Sequence, residues 1–102
     1  MKETVLYWDI YEITSPSPIH GVMLRGRIRK FGLQKSINLL TENASDKENV
    51  VRFAVFHKQN IHTVCDFITD IVPDATIQNV AENIQNPVLS KIKINDADRY
   101  QI

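Results

Sequence analysis

The sequence has little of what would mark a specialised class of protein. Its 102 residues include one cysteine, Cys65, so no disulfide can form within the chain and a reducing compartment is the simpler expectation. Lysine and arginine number 12, as do aspartate and glutamate, so the overall charge points neither to nucleic acid nor to an anionic membrane. No run approaches the roughly 18 apolar residues of a membrane span, and the N-terminus lacks the apolar core of a signal peptide. We therefore expect a soluble cytoplasmic protein.

The length and the even composition favour one small domain. The chain has no internal repeat and no low-complexity tract, and 43% of its residues are hydrophobic, which suits a single modest core. We place the domain at residues 1–95. The polar sequence at 96–102 is interpreted as a C-terminal tail or as the start of a linker in a longer protein. We expect the domain to be a monomer.

Five segments have the composition or the alternation of β-strands. β-branched and aromatic residues fill the first segment, and the Ser-Pro-Ser-Pro run at 15–18 ends it because proline has no backbone N–H to donate. The polar sequence at 44–48 suits a hairpin loop between the second and third strands. The predicted strands are Thr4–Ile13, Ser36–Asn43, Asn49–His57, Ala75–Ile84 and a short final strand at Val88–Asn95.

Two segments have apolar residues at helical spacing. The first runs from Val22 to about Lys35, where apolar residues follow Leu24 by four and seven positions and basic residues fill much of the remaining surface. Within it, Gly32 either ends the helix or lies inside it against a sheet, at a cost of about 1 kcal/mol. The second helix follows Asn60, whose side chain is expected to cap it, and Pro73 stops it.

The order of these elements predicts an α+β fold. The sequence β-α-β-β-α-β, with a short final strand, is the split-βαβ or ferredoxin-like plan, in which two helices cover one face of an antiparallel sheet. This plan alone does not indicate a function, because it is found in enzymes, regulators and RNA-binding proteins.

The loop between the first strand and the first helix reads S-P-I-H-G-V-M-L-R at residues 17–25. This resembles the signature G-x-V-Q-G-V-x-F-R of the acylphosphatase family. Gly21, Val22 and Arg25 agree with the signature, Ile19 and Leu24 are apolar replacements, and Ser17 and His20 depart from it.

A second part of the resemblance lies further along the chain. The family has an asparagine at the end of its second strand, eighteen positions after the arginine, and Asn43 has this spacing from Arg25. The corner and strand at 73–80 resemble the family's A-x-V-x-x-V segment, and the alternating sequence at 91–95 resembles its closing strand. The resemblance therefore extends over roughly Val5 to Asn95.

The resemblance implies that the protein hydrolyses acyl phosphates to a carboxylate and inorganic phosphate, with no cofactor and no metal. Arg25 would bind the phosphoryl group and Asn43 would orient the attacking water. The start of a helix is physically suited to this task, because its free N–H groups and its dipole favour an anion and an arginine fork can hold two phosphate oxygens. The expected phosphate-binding residues are His20, Gly21, Val22, Met23, Leu24 and Arg25.

Simpler interpretations of the same residues stay open. Gly21 and Arg25 also suit a plain turn followed by a solvated helical arginine, and asparagine, as at position 43, is a common turn residue. At the level of function, the alternative to an enzyme is a catalytically inactive acylphosphatase-like module. Such a module would bind an anion or a protein, as part of a larger protein.

Other reactive residues give weaker signals. His57 and His62 lack metal-ligand spacing with Cys65, which we expect to be a buried small hydrophobe. The R-F-A-V-F segment at 52–56 faintly resembles the aromatic β3 motif of RNA-recognition domains but lacks its glycine. The basic run of the first helix is interpreted as a solvated face. Nucleic acid is therefore not an expected partner.

Overall fold

The chain folds as a four-stranded antiparallel sheet with two helices. The computed structural model describes residues 7–19, 23–56 and 60–85. The strands lie in the order β2-β3-β1-β4, each antiparallel to its neighbour, so the predicted α+β ferredoxin-like fold is confirmed. The predicted final strand at 88–95 and the tail at 96–102 lie outside the described residues. The elements in chain order are β1 (Tyr7–Thr14), α1 (Leu24–Gln34), β2 (Leu39–Asn43), β3 (Val51–Phe56), α2 (Ile61–Ile71) and β4 (Thr76–Gln85).

Side chains alternate between the two faces of a strand, and those of the central strands β1 and β3 are buried on both faces. One face packs against both helices and forms the larger core. On the other face Trp8, Ile10 and Ala54 form a smaller buried cluster, in which the ring of Trp8 lies 4.5 Å from that of Phe56. The larger core consists of Tyr11, Ile13, Ile19, Leu24, Ile28, Val51, Phe53, Val55, Val64, Ile68 and Val72.

Two charged residues, Glu12 of β1 and Arg52 of β3, are paired in register and buried. The Arg52 Nε donates to Glu12 Oε2 at 2.9 Å, and Nη2 lies 2.8 Å from the same oxygen. Two residues of the β2–β3 loop complete the network. Asp46 Oδ1 lies 2.7 Å from Arg52 Nη1, and Lys47 Nζ lies 3.2 Å from Glu12 Oε1. The buried pair therefore also holds this loop against the sheet.

The residues that cap the C-terminus of α1 include the first two residues of the predicted second strand, Ser36 and Ile37. Ser36 has a φ of 55°, and the Ile37 N–H donates to the Gly32 carbonyl at 2.9 Å. This hydrogen bond and the left-handed residue before it form a Schellman cap. The prediction that the strand begins at Ser36 is therefore wrong. β2 begins at Leu39, because the backbone N–H groups of Ser36 and Ile37 are hydrogen-bonded to the end of α1.

The start of α2 agrees with the prediction in position but not in mechanism. Asn60 precedes the helix, but its side chain makes no capping hydrogen bond and its φ is 58°. Its carbonyl accepts a hydrogen bond from the Val64 N–H at 3.1 Å, so the contribution of Asn60 comes from the backbone. The helix ends at Ile71, two residues before Pro73, as predicted.

The alternation of apolar residues along β4 shifts by one position, because the strand contains a β-bulge. Tyr11 of β1 pairs with Asn79, whereas the preceding Ile10 pairs with Ala81. Val80 is thus the extra residue of a β-bulge, which shifts the following side chains to the opposite faces.

Gly32 lies inside α1 and is buried against β2. A Cβ at this position would lie 3.0 Å from the Leu39 Cδ2 and 3.1 Å from the Leu39 Cβ. The interior position that the sequence left open is therefore the observed one. The lack of a side chain at Gly32 allows α1 and β2 to approach each other.

The two glycines of α1 provide a matched test of this packing. A Cβ at Gly26 would meet no atom within 4 Å, so Gly26→Ala should raise the free energy of unfolding by about 1 kcal/mol through helix propensity. Gly32→Ala should instead lower it, because Leu39 must move. Urea denaturation of both variants measures the difference. Equal stabilisation by both substitutions would show that the contact with Leu39 does not constrain the helix.

Removing one partner of the buried ion pair should lower the free energy of unfolding more than replacing both partners with apolar residues. Arg52→Met leaves Glu12 buried without its main partner, so the free energy of unfolding should fall by about 3 kcal/mol or more. The double variant Glu12→Leu with Arg52→Met should recover most of this loss, since two apolar side chains can pack where the ions met. The check is equilibrium unfolding monitored by circular dichroism. A double variant no more stable than the single one would contradict the assignment.

Candidate functional site

The predicted phosphate-binding residues are described only from Met23 onward. His20, Gly21 and Val22 lie outside the described residues, so the loop that they form stays a prediction. Met23 immediately precedes α1, with an exposed side chain and a φ of 56°. Leu24 is completely buried in the core, so its side chain cannot contact an anion.

Arg25 is exposed in the first turn of α1. Together with Arg29, one turn further along the helix, it lines a cleft of about 380 Å³ between α1 and β2. Within the described ranges neither arginine forms an ion pair, and the first turn of α1 carries no acidic side chain. The start of the helix and two guanidinium groups therefore place positive charge along the cleft, where Glu42 is the one acidic residue among those that line it.

Asn43 is the last residue of β2, and its side chain is exposed. The strand runs back along the helix, because Leu39 at its start lies against Gly32 near the end of α1. The path from Leu39 to Asn43 covers about 13 Å of strand, and the path from Gly32 back to Arg25 covers about 10 Å of helix. Arg25 and Asn43 therefore lie toward the same end of the cleft, although Asn43 is not one of the residues that line it.

Asn49, in the β2–β3 loop, binds the β1–α1 loop through three hydrogen bonds. Its Oδ1 accepts from the Ile19 N–H at 2.7 Å, and its Nδ2 donates to the carbonyls of Ser15 at 3.1 Å and Ser17 at 2.9 Å. Asn49 has a φ of 52°, a left-handed conformation that asparagine tolerates. It thus joins the loop that leads into the predicted phosphate-binding residues to the loop that follows Asn43.

Asp74, at the corner between α2 and β4, contacts the same β1–α1 loop from a second direction. The hydroxyls of Ser15 and Ser17 donate to its two carboxylate oxygens, each at 3.2 Å. The Ser17 N–H also donates to Ser15 Oγ at 3.0 Å. Exposed hydrogen bonds of this kind are individually weak, but as a set they define the path of the loop before it reaches α1.

Arg52 is a structural cation and not a candidate ligand for a substrate. Burial disfavours its charged form, but hydrogen bonds to Asp46 and Glu12 outweigh that effect and raise the pKa of Arg52. The hydrogen bond from Arg52 in turn lowers the pKa of Asp46. Arg52 and Asp46 are therefore charged near neutral pH, and the charge of Arg52 is neutralised by groups within the protein.

Cys65 and the histidines give no sign of a reactive centre. Cys65 is half-buried on α2, and burial raises the pKa of its thiol, which favours the unreactive protonated form. His62 is exposed, and His57 lies outside the described residues. In the part of the chain that the structure describes, no three histidine, cysteine or acidic side chains are grouped to hold a metal. No helix there is long and apolar enough to cross a membrane.

The β3 segment that resembles an RNA-binding motif is mostly buried. Phe53 is completely buried and stacks on Tyr11, with ring centroids 5.2 Å apart. Phe56 is half-buried against Trp8. Phe53 is therefore not accessible to a nucleotide base, and Phe56 already packs against Trp8.

Sequence reasoning missed the residues that support the site. Nothing in the sequence singles out Asn49, which is predicted to begin the third strand but lies in the loop before β3. Arg29 and Thr41, which line the cleft, also carry no recognisable signal. Glu12 and Arg52 did carry a signal, since they are charges of opposite sign inside apolar runs and such charges must be paired when buried.

Comparison with models of protein families, with curated proteins and with solved structures finds no match to this chain. The ferredoxin-like fold therefore rests on the structure itself. Membership of the acylphosphatase family is a hypothesis that rests on the loop sequence and on the spacing of Arg25 and Asn43.

The three hydrogen bonds of Asn49 can be tested by substitution. Asn49→Gly keeps the left-handed backbone and removes the side-chain contacts, so the free energy of unfolding should fall by about 2 kcal/mol. The backbone amides of Ser15, Ser17 and Ile19 should shift in NMR spectra as the loop loses its partner. Asn38→Ala, at an exposed position before β2, is the control and should change stability by less than about 0.5 kcal/mol. If both variants changed the free energy of unfolding by similarly small amounts, Asn49 would not stabilise the β1–α1 loop.

Proposed function

We propose that the protein is an acylphosphatase-like hydrolase that cleaves the carboxyl-phosphate bond of acyl phosphates. The observation that carries this proposal is the position of Arg25. Its guanidinium is exposed, has no ion-pair partner within the described ranges, and lines a cleft next to the strand that ends at Asn43. A guanidinium at the start of a helix is suited to a phosphoryl group, because its two parallel N–H groups can donate to two phosphoryl oxygens at once.

The proposed reaction needs positioning and charge stabilisation more than a strong base. A water oxygen attacks phosphorus, the bond between phosphorus and the acyl oxygen breaks, and that oxygen leaves as a carboxylate. The phosphate product and solvent take up the proton of the attacking water. Arg25 and the N–H groups of residues 20–24 would stabilise the phosphoryl oxygens, and the amide of Asn43 would hold the water in line.

The hydrogen bonds of Ser17 in the β1–α1 loop support the proposal, although Ser17 departs from the acylphosphatase signature. Ser17 stands where the acylphosphatase signature has glycine, and its hydroxyl and carbonyl both have partners, in Asp74 and Asn49. The departure therefore adds one hydrogen bond to the loop, that of the Ser17 hydroxyl, because a glycine carbonyl could equally accept the bond from Asn49. We propose that these bonds orient the phosphate-binding residues, and that the enzyme acts as a cytoplasmic monomer without a metal or cofactor.

The proposal is tested by hydrolysis of acetyl phosphate and benzoyl phosphate. Arg25→Ala and Asn43→Ala should each lower kcat/KM by about 10²-fold or more, as expected when a positioned donor is removed from a site of this kind. Arg27→Ala is the matched control, because Arg27 is an exposed arginine of the same helix that does not line the cleft. Its activity should equal that of the wild-type protein.

The same preparations distinguish an enzyme from an inactive module. Wild-type protein that does not hydrolyse either substrate above background would refute the hydrolase. Phosphate-induced NMR shifts at the amides of residues 20–25 would then indicate the alternative, a module of this fold that binds an anion without cleaving it.

A further inference from the structure

The cleft between α1 and β2 extends well beyond the candidate phosphate site. Arg25, Arg29 and Leu33 follow one another at intervals of four residues and line it from the helix side. Residues at this spacing lie on one face of a helix, and the row from Arg25 to Leu33 is about 12 Å long. The strand side consists of residues 39–42, with Gly32 and Ile37 at the end where helix and strand approach most closely.

The two ends of this cleft differ in chemistry. Two guanidinium groups lie toward the start of α1, beside Thr41 and the single carboxyl group of Glu42, so this end has a formal net charge of +1. At the other end Leu33 is 76% exposed, one of the most exposed large apolar side chains among the described residues. Half-buried Ile37 and Leu39 continue this apolar wall. A ligand that fits both ends has an anionic head and an apolar body.

The size of the cleft suits a small molecule. Its volume of about 380 Å³ falls in the range of small-molecule sites, roughly 300–1,000 Å³. An apolar group that covered Leu33 would remove its surface from water, which is the main source of affinity at such a site. The narrow approach of α1 and β2 at Gly32 closes the apolar end and limits the length of the group.

We infer that this cleft binds the acyl group of the substrate, and that the preferred substrates are acyl phosphates with an apolar acyl group about as large as a phenyl ring. The inference rests on the proposed hydrolysis, because Arg25 anchors the phosphoryl group at the mouth of the cleft. With the phosphoryl group there, the acyl group points along α1 past Arg29 toward Leu33. Leu33 is then a specificity-determining residue, and it takes no part in the chemical step.

The test compares two substrates that differ only in the acyl group. KM should be lower for benzoyl phosphate than for acetyl phosphate. Leu33→Ser should raise KM for benzoyl phosphate about tenfold relative to that for acetyl phosphate, the effect expected when part of an apolar contact is lost. Val80→Ser is the control, since Val80 is a partly exposed apolar residue on β4 and away from the cleft. It should leave the ratio of the two KM values unchanged.

A binding experiment separates this inference from the proposed reaction. Benzylphosphonate and methylphosphonate are not hydrolysed, so NMR titration of each reports binding alone. Benzylphosphonate should shift the amides of residues 29, 33 and 39–41, and methylphosphonate should not shift those of 33 and 39. If neither acyl phosphate is hydrolysed but this contrast is seen, the cleft assignment stands and the hydrolase fails. If both are hydrolysed with equal KM and Leu33→Ser has no selective effect, the hydrolase stands and the cleft assignment is overturned.

Discussion

The buried guanidinium of Arg52 is the constraint on which most of the described structure depends. A buried charge needs a partner, and the partners of Arg52 include Glu12 on β1 and Asp46 in the β2–β3 loop. A slip of one residue between β1 and β3 would move Glu12 to the other face of the sheet and separate the charges. The pair therefore specifies the register of the two central strands. Through Asp46 it also specifies how the loop after β2 folds back onto the sheet.

That loop connects the ionic network to the candidate site. Asn49 follows Asp46 by three residues and holds the backbone of the β1–α1 loop from Ser15 to Ile19. Two arginines of the described residues thus differ in role. Arg52 is paired inside the sheet and stabilises the fold, whereas Arg25 lines an open cleft without an ion-pair partner in the described ranges and is available to a ligand.

Much of the fold was predictable, because apolar periodicity and strong breakers agree along most of the chain. Pro73 lies just beyond the end of α2, and the predicted bounds of β4 are within one residue of those observed. The predictions failed where a contact, and not the residue type, sets the backbone. Ser36 has a left-handed conformation that completes a helix cap, although serine carries no strong signal for it. Asn60 precedes its helix as predicted but contributes only its backbone.

The sequence by itself determined the order of the elements, their apolar faces and the spacing of Arg25 and Asn43. These properties depend on neighbours within a few turns or on simple distance along the chain. Only the tertiary structure decided that Gly32 brings α1 against β2 and that a cleft with one charged and one apolar end lies between them. It also decided that Asn49 would hold a loop about 30 residues away. Such features depend on distances between remote segments, which arise only when the core packs and which no local pattern encodes.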